Sequence, residues 1–373
     1  MLISGCSKEA QKDNPLAKAP VIDAETSDGR PRWKRVLEMQ SSNQWDTTPS
    51  GSHVVQLVDN RLRVTLSRSG LTLLDVKVPF LADRVLAANG FALCYKHLDP
   101  NNRRLMLFDL TKRTWIVKEM PASIWTVNLA AQSSDIWVST GDKHLQRVNL
   151  SLQSGTRWST KAHVTNIFPT ENGCTVSSVL PTSIGHYNKS GSLMWTLENE
   201  GHGTVNRVLS SATSKFIVID SYQQPNPDQH TFTSIDQQTG QPLWECMHTG
   251  KAIQAAIDTV ESTLGVTVDM SRNGKSARIY TYDKNGTLGI TNRGSTFFSP
   301  TLLCISDRGT RITVIDGARG ITTLSGNGST LSRRVPVDLA STQITRTKLV
   351  SSGQFLFIHL ASGRLIAYEA MHE

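Results

Sequence analysis

From Trp33 onward the chain repeats one phrase, and a repeat of this length leaves few folds open to it. The phrase is a short apolar strand, a tight turn, an alternating strand, a turn with Gly, and then a strand that often carries Trp. It is fullest where Phe216-Ile217-Val218-Ile219 leads to Thr231-Phe232-Thr233-Ser234-Ile235-Asp236, then Gln238-Thr239-Gly240, then Pro242-Leu243-Trp244-Glu245. Tyr187 to Gly191 followed by Leu193-Met194-Trp195 is a second copy, and Asn149 to Gly155 followed by Thr156-Arg157-Trp158 a third. With the Trp position as marker, equivalents fall at Trp33, Leu74, Trp115, Trp158, Trp195, Trp244, Ile290 and Ser332, in steps of 37 to 49 residues. A unit of that size with about four strands is a propeller blade, which buries its two faces only by packing between neighbours.

The two ends of the chain suggest how such a ring closes. After Ser332 the sequence offers three strands, Gln343 to Val350, Phe355 to Leu360 and Arg364 to Tyr368, and no fourth. The segment Trp33-Lys34-Arg35-Val36-Leu37-Glu38 is a strand with no partners before it. Pairing it with the last three removes an open sheet edge. The sequence therefore predicts an all-β fold, an eight-bladed β-propeller closed by an N-terminal strand completing the last blade, over residues 33–373. The turn pairs Ser190-Gly191, Thr239-Gly240, Asn285-Gly286 and Asn327-Gly328 supply the positive φ that tight hairpins need. The marker tryptophans are expected to pack between adjacent blades.

Composition narrows the function. The net charge is +8, from 39 Lys and Arg against 31 Asp and Glu, but the excess is diffuse. The densest basic cluster, Arg30, Arg32, Lys34 and Arg35, is broken by Pro31 and Trp33, so no basic face for nucleic acid is expected. Cys6, Cys94, Cys174, Cys246 and Cys304 form no C-x-x-C pair, and no histidine stands at zinc-ligand spacing. No metal site and no cofactor is expected, and the later cysteines read as small buried hydrophobes. The ten histidines are scattered one or two to a blade, without H-E-x-x-H spacing. Neither a G-x-S-x-G elbow nor a P-loop occurs, so the chain is expected not to be an enzyme.

The start of the chain reads differently. Leu2-Ile3-Ser4-Gly5-Cys6 resembles a bacterial lipobox, so residues 1–6 read as the end of a signal peptide with Cys6 as the lipidation site. The charged and apolar stretches that precede such a box are not in the sequence. Residues 7–32, rich in Lys, Asp, Pro and Ala, read as a disordered tether. Two acyl chains on Cys6 would anchor the protein stably.

Ile235-Asp236-Gln237-Gln238-Thr239-Gly240-Gln241-Pro242-Leu243-Trp244 resembles the repeat of quinoprotein-like (PQQ-repeat-like) propellers, and Phe357 to Tyr368 looks like the middle hairpin of that repeat. With the lipobox-like start and the N-terminal Trp strand, the chain is similar to the BamB family of outer-membrane lipoproteins. The resemblance implies a non-enzymatic, periplasm-facing scaffold on the bacterial outer membrane. It would bind subunits of an envelope protein complex, in outer-membrane protein assembly or in a secretion or pilus system. A soluble periplasmic or cytosolic interaction propeller is the alternative location. A quinone-dependent dehydrogenase is the alternative activity, although those enzymes are generally longer and carry adjacent cysteines that this chain lacks.

If the chain binds partners, the connections longer than a minimal turn are the candidates. The longest is Tyr222-Gln223-Gln224-Pro225-Asn226-Pro227-Asp228-Gln229, and a shorter one is Leu98-Asp99-Pro100-Asn101-Asn102-Arg103. Within these, Tyr222, Gln223, Gln224, Pro225, Asn226, Pro227, Asp228 and Gln229, together with Asp99, Asn101, Asn102 and Arg103, are the expected contact residues.

Overall fold

A computed structural model describes residues 32–371, apart from residues 43, 89, 130–134, 171, 180–182, 199–203, 210–215, 224–225, 258–263, 270–276, 292–299, 306–310, 317–319, 326–329, 335–343 and 351–353. Cys6 and residues 1–31 lie outside the described residues. So do Gln224, Pro225 and the turn pair Asn327-Gly328.

Every described element is a β-strand or a turn, and the strands form eight four-stranded antiparallel sheets. Blade one spans Trp45–Lys77, blade two Arg84–Glu119, blade three Ile124–Ser159 and blade four His163–Glu198. Blade five spans Thr204–Thr249, blade six Lys251–Thr291 and blade seven Pro300–Arg334. In each the four strands pair in sequence order. The first strands of successive sheets contact one another, which places them innermost, around the axis.

The expected ring of eight blades carries two corrections. Only seven blades are built from the repeat, each from one continuous stretch of chain. The remaining sheet is a composite of both ends, ordered Arg32–Gln40, Arg364–Met371, Phe355–Leu360, Ile344–Val350.

The second correction concerns Trp33. In blades one, four, five, six and seven the marker residue follows a β-bulge. Thus Trp244 opposes Ser234, Pro242 opposes Ile235, and Leu243 is skipped. Leu74, Trp195, Ile290 and Ser332 hold the same place. In the composite sheet Leu37 opposes Ala367, Arg35 opposes Tyr368, and Val36 is skipped. Leu37, four residues past Trp33, is therefore the marker equivalent. Trp33 is instead buried against Tyr368 and Ala370 of its own sheet and against Ile315 and Ile321 of blade seven. A bulge moves the register by one residue, and the spacing of tryptophans does not reveal it.

Burial follows position in the blade. Phe355 to Leu360 is buried at every residue, as a strand covered on both faces must be. The outer strand Leu193–Glu198 alternates between exposed and half-buried side chains.

The marker tryptophan and the turn glycine are two halves of one contact. Gly191, Gly240 and Gly286 each take a positive φ in the last turn of a blade. A Cβ built on them would stand 2.7, 2.6 and 2.8 Å from Trp158, Trp195 and Trp244 of the preceding blade. Glycine thus meets two demands, the left-handed turn and the close approach of an indole. The indole N–H of Trp195 donates to the Gln237 carbonyl at 2.7 Å, and that of Trp244 to the Lys284 carbonyl at 2.9 Å. The order Asp, Thr-Gly, Trp in the sequence is this stapling read along the chain. Asp236 fixes the turn by accepting from the Gln238 and Thr239 N–H groups at 2.9 and 2.8 Å.

Candidate partner-binding face

Strands alternate in direction within each sheet, so the connections between blades emerge at the same end as the links between second and third strands. Both predicted recognition segments therefore share one face. Hydrogen bonds tie the shorter one into that face. The Leu98 N–H donates to the Ile124 carbonyl at 2.8 Å, and the Asn102 side-chain amide donates to the Leu81 carbonyl at 2.6 Å. Arg103 reaches the Pro121 carbonyl at 2.7 Å and the Glu119 carboxylate at 2.8 Å. Asp99 closes the turn by accepting the Asn101 N–H at 2.9 Å. Asn101 sits in that backbone turn, whereas Asn102 braces the loop against the connection from blade one and Arg103 braces it against the connection to blade three.

These struts hold apolar side chains out in solvent. Leu81, in the connection from blade one to blade two, is 62 % exposed, and Leu98 is 41 % exposed with a positive φ of 53°. Single exposed leucines are ordinary, but a pair on rigid neighbouring loops is the kind of patch a partner covers. Beside them the Trp125 ring meets His97 edge-on at 6.5 Å and stacks on His163 at 4.6 Å. Charges around the patch are neutralised locally, Lys96 by Asp83 at 3.1 Å and Arg103 by Glu119. Sequence reasoning missed Leu81 and Trp125, and it placed Leu98 in the candidate segment without counting it among the contact residues. The available signal for Leu81 was the apolar run Val78-Pro79-Phe80-Leu81-Ala82 between two strands.

The longer segment proves to be no loop. Tyr222 pairs with His230 and Gln223 with Asn226, so the strands Phe216–Gln223 and Asn226–Asp236 continue almost to the tip. Asp228 accepts the Gly250 N–H at 2.7 Å, and Gln229 pairs with Thr249. The expected eight-residue loop from Tyr222 to Gln229 is thus a β-hairpin end, and the side chains of Gln223, Asn226 and Pro227 lie outside the described set.

A buried polar ribbon crosses blade five beneath it. Arg207 on the inner strand meets the fully buried Asp220 at 2.9 Å, and His230 meets the other Asp220 oxygen at 2.7 Å. His248 on the outer strand opposes His230 and lies 2.8 Å from the Tyr282 hydroxyl of blade six. Burial, helped by the nearby His230, pulls the His248 imidazole down to about 4. The ribbon's groups are mutually occupied and braced inside the wheel, so it positions the hairpin.

The cysteines fit their apolar reading where they are described. Cys94 and Cys174 are buried and unpaired, and burial pushes the Cys94 thiol up to about 12. Cys246 is half-buried, and the side chain of Cys304 lies outside the described set. Among the described residues no three His, Cys, Asp or Glu side chains converge as a metal cluster.

No protein-family model matches the chain, and no curated protein matches it in sequence. Solved structures do resemble it. The crystal structure of BamB from Moraxella catarrhalis aligns with a TM-score of 0.59 at 12 % identity, over 91 % of this chain and 100 % of that one. The C-terminal WD40 domain of Sif2 aligns with a TM-score of 0.67 at 10 % identity, over 91 % of this chain and 99 % of that domain. At such identities the likeness establishes the β-propeller fold alone. With 1517 solved chains matching, the fold by itself selects no partner.

Proposed function

We propose that the chain is a non-enzymatic protein-binding scaffold of a bacterial envelope complex, held to the outer membrane on its periplasmic side through a lipidated Cys6. The observation that carries the docking role is the pair of exposed leucines, Leu81 and Leu98, on connections braced by Asn102 and Arg103. A rigid apolar patch loses little conformational freedom when covered, which favours association. The anchor rests on the Leu2-Ile3-Ser4-Gly5-Cys6 box alone. The BamB likeness in fold and the quinoprotein-like phrase support an assembly-machine subunit over a secretion or pilus accessory.

Affinity purification from the native envelope tests both parts. The double substitution Leu81→Arg and Leu98→Arg is expected to keep the β circular-dichroism signal and lower recovery of the co-purifying subunit at least tenfold. Undiminished recovery would remove this patch from the interface. Cys6→Ala in a full-length chain is expected to abolish acyl labelling and release the protein from the membrane fraction, and persistent labelling would move the anchor elsewhere.

A further inference from the structure

The wheel has two faces, and its first described strand enters from the one opposite Leu81 and Leu98. Neighbouring strands alternate in direction, so the links between first and second strands, and between third and fourth, emerge at that opposite face. In the composite sheet Arg364–Met371 is the third strand and runs toward it, and Arg32 pairs with Met371 at the far end. Residues 1–31 therefore join the wheel on the face turned away from the two leucines.

A cleft opens on the same face, beside that point of entry. Ser50 and Ser52, Leu66 and Arg68 from blade one, with Gln354 and Phe355 from the composite sheet, line a space of about 360 Å³. Backbone pairing ties it to the entering strand. Trp33 opposes Ala370, whose N–H donates to the Gln354 carbonyl at 2.8 Å, and Lys34 opposes Glu369, which pairs with Arg68. The walls differ in character. Leu66 and Phe355 form an apolar floor, while the Arg68 guanidinium lies over the Phe355 ring at 5.5 Å with its side chain 65 % exposed. The cleft thus offers apolar cover inside and a cation at its mouth.

The chain before Arg32 carries a segment that matches both. Across residues 7–31, Val21-Ile22 is the only pair of adjacent large apolar residues, and the acids Asp23 and Glu25 follow directly. In extended chain successive side chains point to opposite sides, so Ile22 and Ala24 can face the floor while Asp23 and Glu25 face the cation. Arginine presents five donors in a fork, enough to serve a second carboxylate beside Glu369. Ile22 lies ten residues before Arg32, a reach of about 33 Å when extended, and Gly29 suits the turn that brings the segment back. A segment joined to its own site by so short a link is held near it at about millimolar effective concentration, so even a weak contact is filled.

We propose that residues 21–25 of the chain dock in this cleft, Ile22 against Leu66 and Phe355 and an acid of the segment on Arg68. The N-terminal tether is then pinned to the face opposite Leu81 and Leu98, so that the leucines point away from whatever holds the N-terminus. This goes beyond the scaffold reading and does not depend on acylation of Cys6. Photoreactive benzoylphenylalanine in place of Ala24 in the full chain, with peptide mapping after irradiation, tests the contact. Capture is expected within one chain, on the peptides holding Leu66 to Ser69 or Gln354 and Phe355, at least tenfold above capture from the same label at Gln11. Arg68→Glu is expected to lower that capture at least fivefold, and adding Asp23→Arg and Glu25→Arg to restore it. Should Arg68→Glu fail to fold, Ser69→Glu on the exposed lining of the cleft supplies the same repulsion. Capture no greater than from Gln11, capture only between two copies, or capture indifferent to the charge changes would each overturn the proposal. Because Leu81 and Leu98 lie on the other face, such a failure leaves the docking patch untouched.

Discussion

Two kinds of joint hold this wheel together. Between blades three and six each joint repeats one device, a tryptophan of one blade seated on the turn glycine of the next, as with Trp195 and Gly240. At the joint between the composite sheet and blade one, the positive-φ Gly51 meets Phe355 instead of a marker tryptophan. Leu37 stands at the marker position, Arg346 lies over the Trp45 ring at 4.8 Å, and Lys348 pairs with Asp46 and donates to the Thr47 carbonyl at 3.1 Å. The repeated joints are apolar and written into local sequence. The closing joint adds an ion pair and a cation–π contact to an apolar cluster, and its contacts join residues some 300 positions apart. The repeat accounts for stacking, while closure needs residues outside it.

Acid should strike the blade five side hardest. His248 stays neutral in the fold because its folded pKa lies near 4, below the ordinary 6.5. The unfolded chain therefore binds the extra proton first, and stability present above pH 6.5 is lost as the pH falls from 6.5 to 4, by about 3 kcal/mol from this group. His186 and His359 are also lowered by burial and add in the same sense. Urea titrations across that range check the slope, and His248→Gln should flatten it; an equal slope in the variant would separate the ribbon from the acid response.

Gly240→Ala comes next. It forces a side chain into a left-handed turn and against Trp195, at a cost of about 2–3 kcal/mol in chemical denaturation. Lys348→Met should cost about 2 kcal/mol, because Asp46, nearly buried, keeps only the Ala87 N–H at 2.9 Å. Gly363→Ala in the composite sheet is the smallest, about 1 kcal/mol, since its φ of 78° is strained but the nearest atom stands 3.5 Å away. If Gly363→Ala proved as costly as Gly240→Ala, the cost at Gly240 would belong to the left-handed turn and not to the tryptophan seated on it.

The parts visible in advance were those written in neighbouring residues. Thr239-Gly240 and Trp244 announced a turn and a packing strand, because one blade supplies both, while the indole seated on Gly240 comes from Trp195 of the blade before. The closing strand was also legible, since Trp33 to Glu38 had no local partner. Its register was not, because the bulge at Val36 is decided by pairing with Ala367 and Tyr368. Tyr222 to Gln229 read as a loop from its prolines and amides, yet backbone pairing with the hairpin's other arm overrode that composition. The exposed Leu81 and Leu98 were hidden for a different reason. Each depends on which segments meet across a joint, and no single stretch of sequence records that.

The composite sheet also sets an order of events during synthesis. The strand Arg32–Gln40 leaves the ribosome before these seven blades, yet its partner Arg364–Met371 follows them all. While all seven blades are being made, an apolar strand bearing Trp33, Leu37 and Met39 lacks its partner, the condition in which a nascent chain most readily associates wrongly. Enclosure of the axis is thus a late, long-range step, and the time spent before it is when this protein most needs a chaperone.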